Sequence, residues 1–110
     1  MKIAIPMAEG KLTAHFGHCQ NFALIEVENN EIKNKEVLIP PHHEPGVLPK
    51  WLHEMGATHI IAGGMGNRAI SLFQENDIEV ITGAPALPPE ELVMSYLNKE
   101  LVTGNNLCDH

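Results

Sequence analysis

His59-Ile60-Ile61-Ala62-Gly63-Gly64-Met65-Gly66-Asn67-Arg68-Ala69-Ile70 reads as a short buried strand, a glycine turn and the opening of a helix. Ala69, Ile70, Leu72 and Phe73 continue it as one apolar helical face, and Ile78-Glu79-Val80-Ile81 follows as a second strand. Strand, helix and strand in this order form a right-handed parallel crossover, which needs helices over the sheet. The chain is therefore of the α/β class.

Outward from this unit the same alternation holds. Val47, Leu48, Trp51, Leu52 and Met55 have helical spacing, with Pro49 tolerated in the first turn and Gly56 as the stop. Pro88-Pro89-Glu90-Glu91 opens a last helix through Leu92, Val93, Tyr96 and Leu97, with acids at its positive end. Upstream, Lys2 to Ile5 reads as a strand stopped by Pro6. Phe22 to Val27 and Ile32 to Ile39 form a hairpin across Asn29-Asn30, since Asn tolerates positive φ. The expectation is a mixed five-stranded sheet between helical layers, with the first strand central. One domain spans 1–100, and a polar tail spans 101–110.

Ligands of open α/β sheets gather beyond the carboxyl ends of the strands. The segment His15-Phe16-Gly17-His18-Cys19 follows the first strand, and the chain closes on Cys108-Asp109-His110. Each of the two cysteines thus lies within two residues of a histidine. Thiolate and imidazole together suit zinc, copper or iron–sulfur-type metals rather than magnesium or calcium. His15, His18, Cys19, Cys108 and His110 are candidate ligands, joined by His42 and His43 of the proline-rich loop Pro40–Gly46. Burial of both thiols as small hydrophobes is the plainer alternative. A disulfide between them is disfavoured where thiols stay reduced.

Gly64-Met65-Gly66-Asn67-Arg68-Ala69 fits a G-x-G-x-x-A pattern, yet the strand after it brings no acid for a ribose. What remains is a helix start with free N–H groups. Gly63, Gly64, Met65, Gly66 and Arg68 are candidates for holding an anionic part of a cofactor or cluster. Close strand–helix packing would also explain the glycines.

Fourteen acidic against seven basic residues give a net charge of −7, which opposes nonspecific nucleic-acid binding. No basic amphipathic helix suggests a membrane surface, and no apolar run approaches a membrane span. The expected compartment is the cytoplasm. No serine or threonine has nucleophile-elbow context, and the first strand carries no carboxylate for metal-assisted nuclease chemistry. A noncatalytic protein is expected.

Lys2-Ile3-Ala4-Ile5-Pro6, His15-Phe16-Gly17-His18-Cys19-x-x-Phe22, Gly63-Gly64-Met65-Gly66-x-Arg68-Ala69 and Ile78-x-Val80, in this order, resemble the nitrogenase iron–molybdenum cofactor-binding accessory family. That family includes NifX, NifY and the C-terminal part of NifB, and the likeness runs over about residues 1–100. The resemblance implies a ribonuclease-H-like three-layer α/β/α fold with sheet order 3-2-1-4-5. It also implies noncatalytic binding or carriage of a metal–sulfur cluster of the iron–molybdenum type, with a cluster-assembly protein as partner. The chain is similar to the small stand-alone members. A single transition metal such as zinc would suit the same donors. The alternative function is a metal-independent module that binds an anionic small molecule at the glycine turn. Action through a second subunit at Trp51, Leu52 and Met55 is a third reading, and the oligomeric state is left open.

Overall fold

The architecture comes from a computed structural model, which describes residues 1–13, 19–41, 46–101, 103 and 104. In chain order the elements are β1 (Lys2–Ala8), β2 (Lys11–Leu12), β3 (Asn21–Glu28), β4 (Glu31–Leu38), α1 (Val47–Glu54), β5 (His59–Ile61), α2 (Asn67–Glu75), β6 (Glu79–Ile81) and α3 (Pro89–Leu97). The sheet runs β4-β3-β1-β5-β6, with β2 paired to β1 off this path. β1, β5 and β6 are parallel to one another, and β3 is antiparallel to both β1 and β4.

The alternation of side chains along the strands sorts the core into two layers. Ile3, Ile5 and Met7 of β1 join Ala23, Ile25 and Val27 of β3 beneath Leu92 and Val93 of α3. On the other face, Ala4, Phe22, Leu24, Ile60 and Ala62 meet Leu48 and Leu52 of α1 and Phe73 of α2. Helices therefore cover both faces of a mixed sheet. β1 is buried from Ile3 to Met7, as a central strand must be.

Two expectations are corrected. The sheet has six strands, not five in the order 3-2-1-4-5. Lys11–Leu12 folds back onto Met7 and Ala8, and this short strand raises the number of each strand after it. β1 also runs through Pro6 to Ala8. The Pro6 carbonyl accepts from the Thr13 N–H at 3.1 Å. The proline nitrogen faces that same side, where β5 (opposite Ile3 and Ala4) gives way to β2 (opposite Met7 and Ala8). The donor that proline lacks is not needed by the β3 ladder, so the strand continues.

The hairpin turns at Asn29 and Asn30, with φ of 54° and 61°. Two consecutive left-handed residues match the right-handed twist of the flanking strands. β4 is exposed along most of its length and forms one edge of the sheet.

Candidate functional site

Direction alone gathers several connections at one rim. The carboxyl ends of β1, β5 and β6 face the same way, β3 begins there opposite Met7, and β4 ends there with Leu38 opposite Phe22.

The segment after β1 is closed at its base by main-chain bonds. Thr13 N–H donates to the Pro6 carbonyl at 3.1 Å, and Gln20 N–H donates to the neighbouring Met7 carbonyl at 2.7 Å. Glu9 N–H adds a bond to Gln20 Oε1 at 3.2 Å. Both ends of the stretch bearing His15, His18 and Cys19 are thus fixed on adjacent residues of the central strand.

Cys19 is half-buried and packs beside the core of the α1/α2 face. Burial raises its thiol pKa above the ordinary value, and a backbone hydrogen bond opposes this only in part. The thiol is therefore protonated at neutral pH, and a metal must displace that proton to bind it. Asn21, two residues on, has a buried Oδ1 with no hydrogen-bond partner among the described residues. Its place in β3 puts it on the α3 face with Ala23 and Ile25, across the sheet from the layer that Cys19 joins.

Gly63, Gly64 and Met65 are buried between β5 and α2. Gly66 is the N-cap of α2, with extended backbone (φ −68°, ψ 155°), and as a glycine it has no side chain to cap the helix with. Arg68 is exposed, and no ion pair involves it among the described residues. The turn is a tight strand–helix junction with the positive end of a helix at the rim.

Gly83 belongs to no motif that marks it out in the sequence. Beyond β6, its N–H donates to the Gly63 carbonyl at 2.7 Å, and its own carbonyl accepts from Gly104 N–H at 2.7 Å. The start of the C-terminal segment therefore lies beside the glycine turn. Its positive φ is a property of the fold, which the residue type alone does not disclose.

His15, His18, His42, His43, Cys108 and His110 lie outside the described residues. Among the described residues, no three His, Cys, Asp or Glu side chains converge as a metal site. His59 sits at the opposite edge, with Nδ1 2.7 Å from Thr58 Oγ1 and Nε2 3.2 Å from Glu79 Oε2.

Residues 1–99 match the sequence model of the dinitrogenase iron-molybdenum cofactor family. The chain belongs to that family. An uncharacterized protein of Methanocaldococcus jannaschii is 36% identical over 85 residues, covering 73% of this chain and 72% of the relative. The crystal structure of the protein PH0822 superposes with a TM-score of 0.88 at 28% identity, over 96% of each chain. The orange protein of Desulfovibrio gigas, solved in its apo form, shares the fold with a TM-score of 0.75 at 19% identity, over 96% of this chain and 93% of its own. No helix among the described residues is long and apolar enough to cross a membrane.

Proposed function

We propose that this chain is a noncatalytic cytoplasmic carrier of a metal or metal–sulfur cluster of the iron–molybdenum type. It would use a ribonuclease-H-like α/β scaffold and hand its cargo to a cluster-assembly partner. Membership of the family supports the class of cargo. The observation that carries the reading is the pinning of the Thr13–Gln20 segment to consecutive carbonyls of the central strand.

Chain length converts that pinning into reach. His15 lies two residues from Thr13, and His18 lies two from Gln20. At ~3.5 Å per residue, each histidine stays within about 7 Å of its fixed end. Cys108 is four residues beyond Gly104, a reach of ~14 Å, while Gly104 lies about three strand spacings, also ~14 Å, from β1. At that reach Cys108 spans the distance to β1 only when extended, while His110, two residues farther on, spans it with length to spare.

Capture would proceed by ligand exchange. The Cys19 thiol loses its proton as the sulfur binds metal, and neutral imidazoles of His15 and His18 add nitrogen donors. His42 or His43, Cys108 and His110 complete the set. Release reverses the exchange when a partner offers competing ligands. A thiol with a raised pKa assists release, because the proton competes for the sulfur.

The test is anaerobic purification, reconstitution with iron, molybdenum, copper or zinc, and elemental analysis. Stoichiometric binding is expected, with an absorption spectrum that Cys19→Ala alters. No stoichiometric binding, together with an unchanged spectrum in the variant, would end the carrier reading.

A second reading has one observation behind it. The N-cap of α2 is a glycine, which has no side chain of its own to cap the helix, and Arg68 lies beside it; both suit an anion held at Gly63–Gly66 without metal. Retention of a phosphate- or carboxylate-bearing compound by metal-free protein would favour it.

A further inference from the structure

At the edge of the sheet away from the rim, β5 and β6 open side by side, with His59 paired to Glu79. Strands so paired lie about 4.8 Å apart and point matched residues to one face. Tyr96 of α3 closes over them on that face. Its ring is centred 5.9 Å from that of His59, and its hydroxyl donates to Glu79 Oε2 at 3.2 Å. The same carboxylate oxygen lies 3.2 Å from His59 Nε2. Three side chains from three elements thus meet at one oxygen.

The ring is also held from behind. Thr58 Oγ1 accepts the Lys2 N–H at 3.1 Å, and the Thr58 N–H donates to the Lys2 carbonyl at 2.8 Å. These bonds fix the hydroxyl 2.7 Å from Nδ1. Its single proton has two acceptors, Nδ1 and the Lys2 carbonyl at 3.0 Å. When the proton goes to Lys2, the ring donates from Nδ1, and a bare Nε2 faces the carboxylate oxygen. Two lone pairs so close repel unless a cation stands between them. Burial works against a proton there, the Glu79 carboxylate favours one, and the amino terminus adds to the burial effect. A metal-bound histidine has this same arrangement. Its far nitrogen donates to a polar group that fixes the tautomer, and its near nitrogen meets the ion.

Distance and access agree. A nitrogen and an oxygen each ~2.0–2.1 Å from a tetrahedral zinc ion lie about 3.3 Å apart. The Glu79 side chain is 65% exposed, so water can fill the remaining positions. The Lys2 side chain turns toward Gly56 at the end of α1, which leaves the amino terminus as the opposing charge.

We propose that His59 and Glu79 form a site for a divalent transition metal, held through Nε2 and the carboxylate, with Thr58 and Tyr96 orienting the two ligands. The ion joins β5 to β6 beneath α3. With two protein ligands the site binds loosely, and it takes Cu2+ more tightly than Zn2+. It lies apart from the rim and does not depend on the carrier reading.

The ring nitrogens of His59 report the ion directly. Excess Zn2+ would be added to the 15N-labelled full-length chain carrying Cys19→Ala, at a pH above the ordinary imidazole range, and the histidine ring resonances recorded. The Cys19 change keeps the rim thiol out of the result. Without metal, His59 should carry its proton on Nε2. With Zn2+, the proton should move to Nδ1 and Nε2 should show the shift of a metal-bound nitrogen. Glu79→Gln keeps the ring and its Thr58 partner, and should abolish the response over the same metal range. Thr58→Ala should weaken it about tenfold or more, as loss of an outer partner does, and Thr58→Ser should restore it. A ring that keeps its Nε2 proton under excess Zn2+ overturns the proposal. So does an equal response in Glu79→Gln, or an equal one at His53, which is exposed on α1 and would then mark simple imidazole binding.

Discussion

Thr58 has one hydroxyl proton and two acceptors within reach, the Lys2 carbonyl at 3.0 Å and His59 Nδ1 at 2.7 Å. With neutral His59, the hydroxyl donates to Nδ1 and Nε2–H faces Glu79 Oε2. Protonation reverses the first bond: Nδ1–H donates to Thr58, and the hydroxyl turns to Lys2. Burial lowers the His59 pKa below its ordinary 6.5; the Glu79 carboxylate opposes this, and the nearby amino terminus adds to it. A base whose pKa is lowered on folding is favoured neutral. Its contribution is complete above the ordinary imidazole value and is lost as pH falls through the folded-state pKa. The wild type should therefore lose stability from neutral pH toward pH ~5, and His59→Gln should lose less. Thermal melts of both proteins across that range check it. A parallel decline in the two would assign the pH dependence elsewhere.

Among elements, β4 has an edge that no described strand pairs with, and it is guarded by its own side chains. Lys33 and Lys35 lie along it, and the β3 pairing shifts register between Glu26 and Val27. Charge and irregular pairing both discourage a second strand from adding there. Lys35 also bonds Glu90 in the first turn of α3 at 3.0 Å, which joins the edge strand to the helix over it. The hydrogen bond from Lys35 is the main cause of the lowered Glu90 pKa. Both side chains are well exposed, so Glu90→Gln should cost no more than ~1 kcal/mol, and less at high salt. Urea unfolding at low and high salt measures both effects. The elements whose side-chain pattern sets their place were legible in the sequence. The apolar face of α2 and the Asn29-Asn30 turn depend on local residues; the turn emerges as read, and Ala69, Ile70 and Phe73 of the expected face pack on the core while Leu72 is not part of it. β2 and the Pro6 continuation are set by which strand lies alongside, so residue type gave no sign of them. The Gly83 hydrogen bonds join three distant peptide groups and leave no periodic trace. At the rim, the reading reached Cys19 and the glycine turn, while most of the proposed ligands fall outside the described residues.

At the scale of the molecule, fourteen acids against seven bases surround a site that has Arg68 and one helix start as local positive features. Charges farther than ~8 Å are largely screened at physiological salt, so the sign of the cargo decides the salt response. A metal cation should bind more weakly as salt rises, and an anionic compound at the glycine turn should bind more tightly as the repulsion is screened. Binding must also feed back on folding. The proposed ligands come from segments fixed on β1, β3, β6 and α1, and unfolding scatters all of them. A metal that binds only the folded chain stabilises it by about 2.7 kcal/mol when free metal is 100 times Kd. Urea unfolding of wild type should shift to higher midpoint with Zn2+ and return on chelation, while Cys19→Ala shifts less. The shift should grow with pH in wild type, since the raised thiol pKa makes metal and proton compete at Cys19. A midpoint that ignores Zn2+ while the metal still binds would mean that the unfolded chain binds it equally well. That outcome would remove the folded rim from the account of how cargo is held.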